Sequence, residues 1–432
     1  MRMKFEAAGK TDVGRSRQHN EDFFICDEER GLYIVCDGMG GHAAGEVASK
    51  MAAEAVYEML VARRSELEGF EKNRASIEIE RVLREAIETA SSKVFEHARS
   101  SNGKHGMGTT CVAMLVQGGR AYIGHVGDSR AYMRRGDAVW QLTDDHTYLN
   151  EAVKAGWMTQ EEAERSPHAH MVTRGVGIQA SVKVDTLTVD VCDGDTFLIC
   201  SDGLHSYTPT HGELSRLMNA DTTQAGVDAL INLANERGGS DNISAVLVHA
   251  AAGGGDVGKR SVTVEGDLRT LRHIAMFSDL EMRELLRLGG VFKAEEHAAG
   301  TTFIQEGGRD DSMFIVVEGS VEVQKAGERV TVLKEGAHFG EMALLSRHPR
   351  TATVVALEPV RTLRLERSRF MELVRTEPSI AVKCLWQVAQ TLSERLDDAK
   401  LAQTQERDRT GTASSRSNTQ LLGILSPFRT SR

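Results

Sequence analysis

Three short apolar runs in this chain stop on an aspartate and a turn. Residues 32–36 lead into Asp37-Gly38, 122–126 into Gly127-Asp128 and 197–200 into Ser201-Asp202-Gly203. Two more acidic turns, Asn20-Glu21-Asp22 and Ser240-Asp241-Asn242, lie near opposite ends of the same region. A strand that ends on a carboxylate and turns on glycine is how a fold gathers acidic groups from distant sequence. Carboxylates at close range raise one another's pKa, a cost that a divalent cation removes. An all-oxygen donor set without cysteine or clustered histidine suits Mg²⁺ or Mn²⁺. Any one Asp-Gly reads equally well as a turn dipeptide. Their recurrence behind apolar runs favours a divalent metal site.

The rest of the first 250 residues fits an α+β domain. β-like runs are expected at 32–36, 110–116, 121–125, 196–200 and 245–248. Helices are expected at 46–60, 78–99 and 150–166, the second carrying Ile79, Val82, Leu83, Ala86, Ala90 and Val94 at helical spacing. Residues 251–264, with three consecutive glycines, read as a linker. A helix over 268–289 then leads into Gly-punctuated strands, and a last helix starts near Pro378. Residues 401–432 are Thr/Ser/Arg-rich and are expected to be disordered. The formal charge of −10 argues against a nucleic-acid binder with a broad basic face. The six cysteines show no CxxC pair, as expected of buried free thiols in a reducing compartment. With no apolar leader and no apolar stretch of membrane-spanning length, a cytoplasmic protein is expected.

In order, Thr11-Asp-Val-Gly14 with Arg17 and Asn20-Glu-Asp22, Asp37-Gly-Met-Gly-Gly-His42, Gly106-Met-Gly-Thr-Thr110, Gly127-Asp-Ser-Arg130, Ser201-Asp-Gly-Leu204 and Gly239-Ser-Asp-Asn242 resemble the metal-dependent (PPM, type 2C) Ser/Thr protein phosphatases, in their bacterial form. The resemblance covers about residues 5–249. It implies an α/β/β/α sandwich of two antiparallel sheets flanked by helices, spanning 1–250. It also implies roles. Asp37 would bridge two Mn²⁺ or Mg²⁺ ions. The Gly38 carbonyl and Glu21 would hold one ion, and Asp202 and Asp241 the other. Asp22 would stand behind them, and Asp128, with Asp202, would serve a third ion. Arg17 would fork onto the substrate phosphate. The general acid is open: His42 would protonate the leaving oxygen or cap the helix that follows it. Residues 142–146 and 173–177, with the helix between them, resemble the flap beside the active site.

Beyond residue 300 the sequence offers Gly307, Gly319, Gly327, Gly336 and Gly340 between short alternating strands, as in a β-roll. A Gly turn can hold a phosphate through backbone N–H groups, a carboxylate can accept ribose hydroxyls, and an arginine can pair an anionic phosphate. Gly340, Glu341 and Arg350 supply those groups, although Glu341 and Arg350 could equally form a structural ion pair. The run Phe339-Gly-Glu-Met-Ala-Leu344 with Pro349-Arg350 resembles the phosphate-binding cassette of cyclic nucleotide-binding domains, with coverage of about 268–396. That likeness implies a β-roll domain with flanking helices over 265–400. Gly340, Glu341, Met342, Ala343, Arg350 and Thr351 would form its nucleotide site, with Glu341 on the ribose 2′-OH and Arg350 on the phosphate of cAMP or cGMP. The last helix carries Leu385, Val388, Leu392 and Leu396 at coiled-coil-like spacing, for a lid on its own roll or a homodimer seam.

The expected protein is therefore a phosphoserine/phosphothreonine phosphatase regulated by a cyclic nucleotide. Its partners would be phosphoprotein substrates and a cognate Ser/Thr kinase pathway, with no nucleic acid and no membrane. The rival expectation is a nucleotide-binding signalling scaffold whose phosphatase domain has little turnover.

Overall fold

A computed structural model describes residues 4–40, 43–72, 76–100, 106–166, 168, 171–208, 210–251, 270–272, 274–280, 282–289, 291–376, 380–387, 389, 390 and 393. His42, the linker expected at 252–264 and the tail from 401 lie outside the described residues.

The apolar runs are strands because both of their faces are covered. In β3 (Leu32–Met39), Tyr33 and Val35 point between two sheets, whereas Leu32, Ile34 and Cys36 point into a helix layer. Alternation therefore appears in the sequence as an unbroken apolar stretch. β3 lies in a sheet with β2 (Asp22–Asp27), β5 (Cys111–Gln117), β6 (Arg120–Val126) and β9 (Asp185–Asp190), in the order β2-β3-β5-β6-β9, with short β4 (Gly108–Thr109) beside β3. The facing sheet has the order β1-β11-β10-β7-β8, built from β1 (Lys4–Asp12), β7 (Arg130–Arg135), β8 (Ala138–Gln141), β10 (Thr196–Cys200) and β11 (Ile243–Ala251). All these pairings are antiparallel. Helices α1 (Ala43–Ala62), α2 (Arg64–Lys72) and α3 (Ser76–Ser100) cover one outer face. The other is covered by α7 (His211–Met218) and α8 (Thr223–Glu236), reached after three short helices, α4 (Tyr148–Lys154), α5 (Gln160–Glu164) and α6 (Asp202–His205). This is the expected α/β/β/α sandwich.

The second unit begins with a 3₁₀ turn, Ala275–Phe277, and helix α9 (Met282–Gly289). Two open four-stranded antiparallel sheets follow, β12-β19-β14-β17 and β13-β18-β15-β16. The strands are β12 (Lys293–His297), β13 (Thr302–Ile304), β14 (Ser312–Glu318), β15 (Ser320–Lys325), β16 (Glu328–Lys334), β17 (His338–Phe339), β18 (Thr353–Ala356) and β19 (Val360–Glu366). Helix α10 (Met342–Leu345) interrupts them, and α11 (Arg367–Thr376) follows. Residues 380–387 are helical.

Three helix expectations change. The stretch 150–166 is two short helices, because Gly156 takes φ +69° and Thr159 opens a new capping box with Glu162. The stretch 268–289 is interrupted by a turn at Ser278-Asp279. In the last helix, Ile380, Ala381 and Cys384 are buried, while Val382, Leu385 and Trp386 are exposed. Val388 and the leucines after it lie outside the described residues. No helix among the described residues is long and apolar enough to cross a membrane.

Candidate active site and nucleotide site

The acidic turns meet at one end of the sandwich because strand directions alternate. Asp22 opens β2 directly opposite Asp37 near the end of β3. Asp128 follows the end of β6, Asp202 follows the end of β10, and Asp241 precedes the start of β11. The turns pack too closely for side chains. A Cβ on Gly38 would lie 2.2 Å from the Gly45 carbonyl oxygen, and one on Gly203 would lie 2.1 Å from that of Asn242. That explains the Asp-Gly pairs: the chain must approach itself immediately after the carboxylate.

The electrostatics are those of crowded, desolvated acids. Burial pushes Asp22 up to about 7; hydrogen bonds from Ser244 and Ser201 oppose this, and Asp202 and Asp241 add to it. Burial also raises Asp128 to about 7, reinforced by Asp202 and Asp145. Asp37 is driven well above the usual carboxylate range by burial and then by Asp22, Asp202, Asp128 and Asp241. Asp202 is raised by burial and by Asp241. One oxygen each of Asp22 and Asp202 is buried without a hydrogen-bond partner. Such a donor set fits a hard divalent cation. Among the described residues, no three His, Cys, Asp or Glu side chains yet form a closed cage.

Every described residue expected at this site lies at this end. Glu21 sits over the Gly38–Gly45 approach, its carboxylate 2.8 Å from where a Cβ of Gly45 would lie. Arg17 donates to Asp241 at 2.7 Å, so the arginine expected to grip phosphate is paired here with one of the expected ligands. Asp37 is fixed by its own backbone: its N–H donates to Thr110 Oγ1 (2.9 Å) and its carbonyl accepts from Thr110 N (2.8 Å).

The sequence reading gave no role to Asn242. Its Oδ1 accepts from Glu21 N at 2.8 Å, and its Nδ2 donates to Val13 O (3.0 Å) and His19 O (2.9 Å). It thereby ties the loop carrying Arg17 and Glu21 to the Asp241 turn. Its only sequence signal was the Asp-Asn pair. His146 was also missed. It is buried, accepts from Gly127 N through Nδ1 (3.1 Å), and meets Asp185 Oδ2 (3.1 Å) and Arg174 Nη1 (3.1 Å) through Nε2. Asp185 is raised by burial but held well below the usual range by His146 and Arg174. Beside it, Asp145 accepts a forked bond from Arg130 at 2.6–3.1 Å. The flap root is thus fastened on both sides of Asp128.

In the second unit Gly340 turns at φ +82°, where a Cβ would lie 2.9 Å from Arg350 Nη1. Arg350 is buried, and its guanidinium donates to Gly340 O (3.0 Å), Ser312 O and both carboxylate oxygens of Asp310. Its carboxylate partner is therefore Asp310, not the Glu341 weighed from sequence. Glu341 precedes α10 at its N-cap, Ala343 is buried, and Met342 and Thr351 are exposed.

The fold and this end of the sandwich define a phosphatase-type domain joined to a β-sheet unit of the nucleotide-binding kind. Residues 11–248 match the family described as Protein phosphatase 2C, and residues 294–377 match Cyclic nucleotide-binding domain. The chain belongs to the protein phosphatase 2C family and carries a cyclic nucleotide-binding domain behind its phosphatase domain. It is 36% identical to the serine/threonine phosphatase stp of Listeria innocua, over 55% of this chain and 93% of that one. It is 33% identical to the protein phosphatase PhpP of Streptococcus pneumoniae, over 55% and 94%. Among solved structures, a bacterial serine phosphatase matches with TM-score 0.51 and 32% identity, over 58% of this chain and 99% of that one. The Mycobacterium tuberculosis serine/threonine phosphatase PstP/Ppp matches with TM-score 0.50 and 29% identity, over 57% and 99%. The chain is accordingly a protein Ser/Thr phosphatase.

Proposed function

We propose that this phosphatase hydrolyses phosphoserine and phosphothreonine in proteins with two or three Mn²⁺ or Mg²⁺ ions, under control of cAMP or cGMP bound by the second unit. The observation that carries the metal reading is the crowding of four aspartates at one end of the sandwich, Asp22 buried and Asp37, Asp128 and Asp202 half-buried, each raised by desolvation and by neighbouring carboxylates. When bound there, the ions lower the pKa of water toward neutrality and draw charge from the phosphoryl oxygens. Asp37, Asp202, Asp241, Glu21 and the Gly38 carbonyl would hold them, with Asp128 at a third position. Asp22 orders the group through Ser201 Oγ (2.8 Å). Arg17, which pairs with Asp241 at 2.7 Å, would orient the phosphate by a forked pair. His42 is proposed to protonate the leaving serine or threonine oxygen.

In the second unit Arg350 would pair the cyclic phosphate and Glu341 the ribose hydroxyl, with Gly340, Met342, Ala343 and Thr351 around them. Substrates would be phosphoproteins of a Ser/Thr kinase pathway in the cytoplasm. A homodimer would form through the exposed Val382, Leu385 and Trp386 face of the last helix. The deciding experiment measures phosphothreonine-peptide hydrolysis with and without Mn²⁺, and with cAMP or cGMP added separately. No metal-dependent turnover, or full turnover in Asp202→Asn, refutes the enzymatic reading. An unchanged rate with nucleotide bound refutes the regulatory one.

A further inference from the structure

The strands from which the flap springs are also the ones the second unit touches. β8 is the last strand of one sheet and β9 the last strand of the other. β8 stops at Gln141 and β9 starts at Asp185, so residues 142–184 leave and re-enter the sandwich at these two edges. Helix α9 packs against both.

The sequence of α9 suits a helix covered from two sides. Glu284, Leu285, Leu286 and Leu288 are all buried. At 100° per residue they span about 200° of the helix circumference, where one covered face needs roughly half of that. Part of this arc is occupied within the second unit. Lys383 Nζ donates to Glu284 Oε2 at 2.7 Å, and Ile380 and Cys384 of the last helix join the same apolar cluster. The rest meets the sandwich edge, where Leu187 and Val189 of β9 belong to that cluster and Trp140 of β8 packs against it. Apolar packing therefore continues from the space between the two sheets through α9 into the β-roll.

We propose that α9 is the element through which an occupied nucleotide site changes phosphatase activity, by shifting the two edge strands that carry the flap. The inference rests on the regulatory reading above and adds the route. Close-packed contacts pass between discrete arrangements rather than deforming smoothly, so a shift of α9 has to be met at β8 and β9. The flap's fastenings stand at those strand ends: Asp185 to His146 (3.1 Å) and to Arg174 (3.3 Å), and Arg174 onward to Glu151 (3.2 Å). Access to the aspartates is thereby tied to the position of one sensor helix.

The test uses the full chain with Mn²⁺, a phosphothreonine peptide and p-nitrophenyl phosphate, with cAMP and cGMP added separately. Leu286 is buried and lies about 200° around α9 from Glu284, the residue paired with Lys383, so Leu286→Lys places a charge on the side of α9 away from the last helix. It is expected to bind nucleotide within about threefold of the wild type and to keep the basal p-nitrophenyl phosphate rate. The nucleotide effect on peptide hydrolysis, about 5–150-fold for a typical coupling, is expected to fall below about twofold. If Leu286→Lys responds like the wild type, the route through α9 is wrong while regulation stands. If the wild-type chain binds nucleotide without any change in rate, the regulatory reading fails and this inference fails with it. Because Leu286→Lys risks unfolding the second unit, a second measurement leaves the contact intact. In W157F/W386F protein Trp140 is the sole remaining tryptophan of three, and its emission should shift on saturation with the effective nucleotide. Unchanged emission overturns the inference.

Discussion

The two candidate sites, one in each half of the molecule, balance charge in opposite ways. The phosphatase half crowds acids of one sign, so Asp22, Asp37, Asp128 and Asp202 are all pushed toward protonation. The second unit's site holds a buried arginine, Arg350, and balances it with Asp310 and two backbone carbonyls. The first site is complete only with added positive charge. In the second, Arg350 is already paired with Asp310, so the proposed nucleotide would compete with an internal anion. One site should govern stability through metal, and the other should govern affinity through exchange of partners.

The sharpest way to break this contrast is Asp37→Asn. Loss of a central carboxylate should lower Mn²⁺-dependent hydrolysis of p-nitrophenyl phosphate by about 10³-fold or more, on the scale of removing a principal charge-stabilising group. Calorimetric cyclic nucleotide binding should be unchanged. Arg350→Ala should do the reverse, weakening cAMP or cGMP binding by about 10²-fold, as when a charged hydrogen-bond partner is removed. Its basal phosphatase rate should stay at the wild-type value.

The next effect is one of pH. Asp22 is raised from 3.8 to about 7 in the fold. Across that window the folded chain holds a proton that the unfolded chain has released, so stability falls as pH rises. In EDTA the thermal midpoint should therefore drop by several degrees between pH 5 and pH 8. Saturating Mn²⁺ should flatten the slope; equal slopes with and without metal would remove the cation-trap account. The smallest effect is expected from Asn242→Ala. Three lost hydrogen bonds should cost about 1–3 kcal/mol of stability, read by urea unfolding. KM for a phosphopeptide should rise as the Arg17 loop loosens, with nucleotide affinity unaffected.

Much of this was legible from the order of residues, for physical reasons. A strand buried on both faces must be apolar throughout, so 32–36 and 196–200 stood out, and an aspartate closing such a strand stood out with them. Asn242 and His146 did not, because a side chain that serves a backbone amide leaves no periodic trace. Asp310 was equally hidden, since nothing local marks a carboxylate as the partner of an arginine forty residues away. The single helix expected at 150–166 failed at Gly156, whose positive φ ends α4, a conformation that helical spacing alone does not reveal. The cover over β8 and β9 was not foreseen either, although Leu285, Leu286 and Leu288 around one short helix were its signature.

That cover has a further consequence. A terminal strand offers unsatisfied N–H and C=O groups to any chain that drifts past, and natural proteins guard against such pairing. Severing the polypeptide after Ala251 strips α9 away and leaves two such borders side by side, with Trp140 at the rim. A fragment ending at Ala251 should therefore self-associate more readily than the intact chain, which light scattering of the two at equal concentration would read.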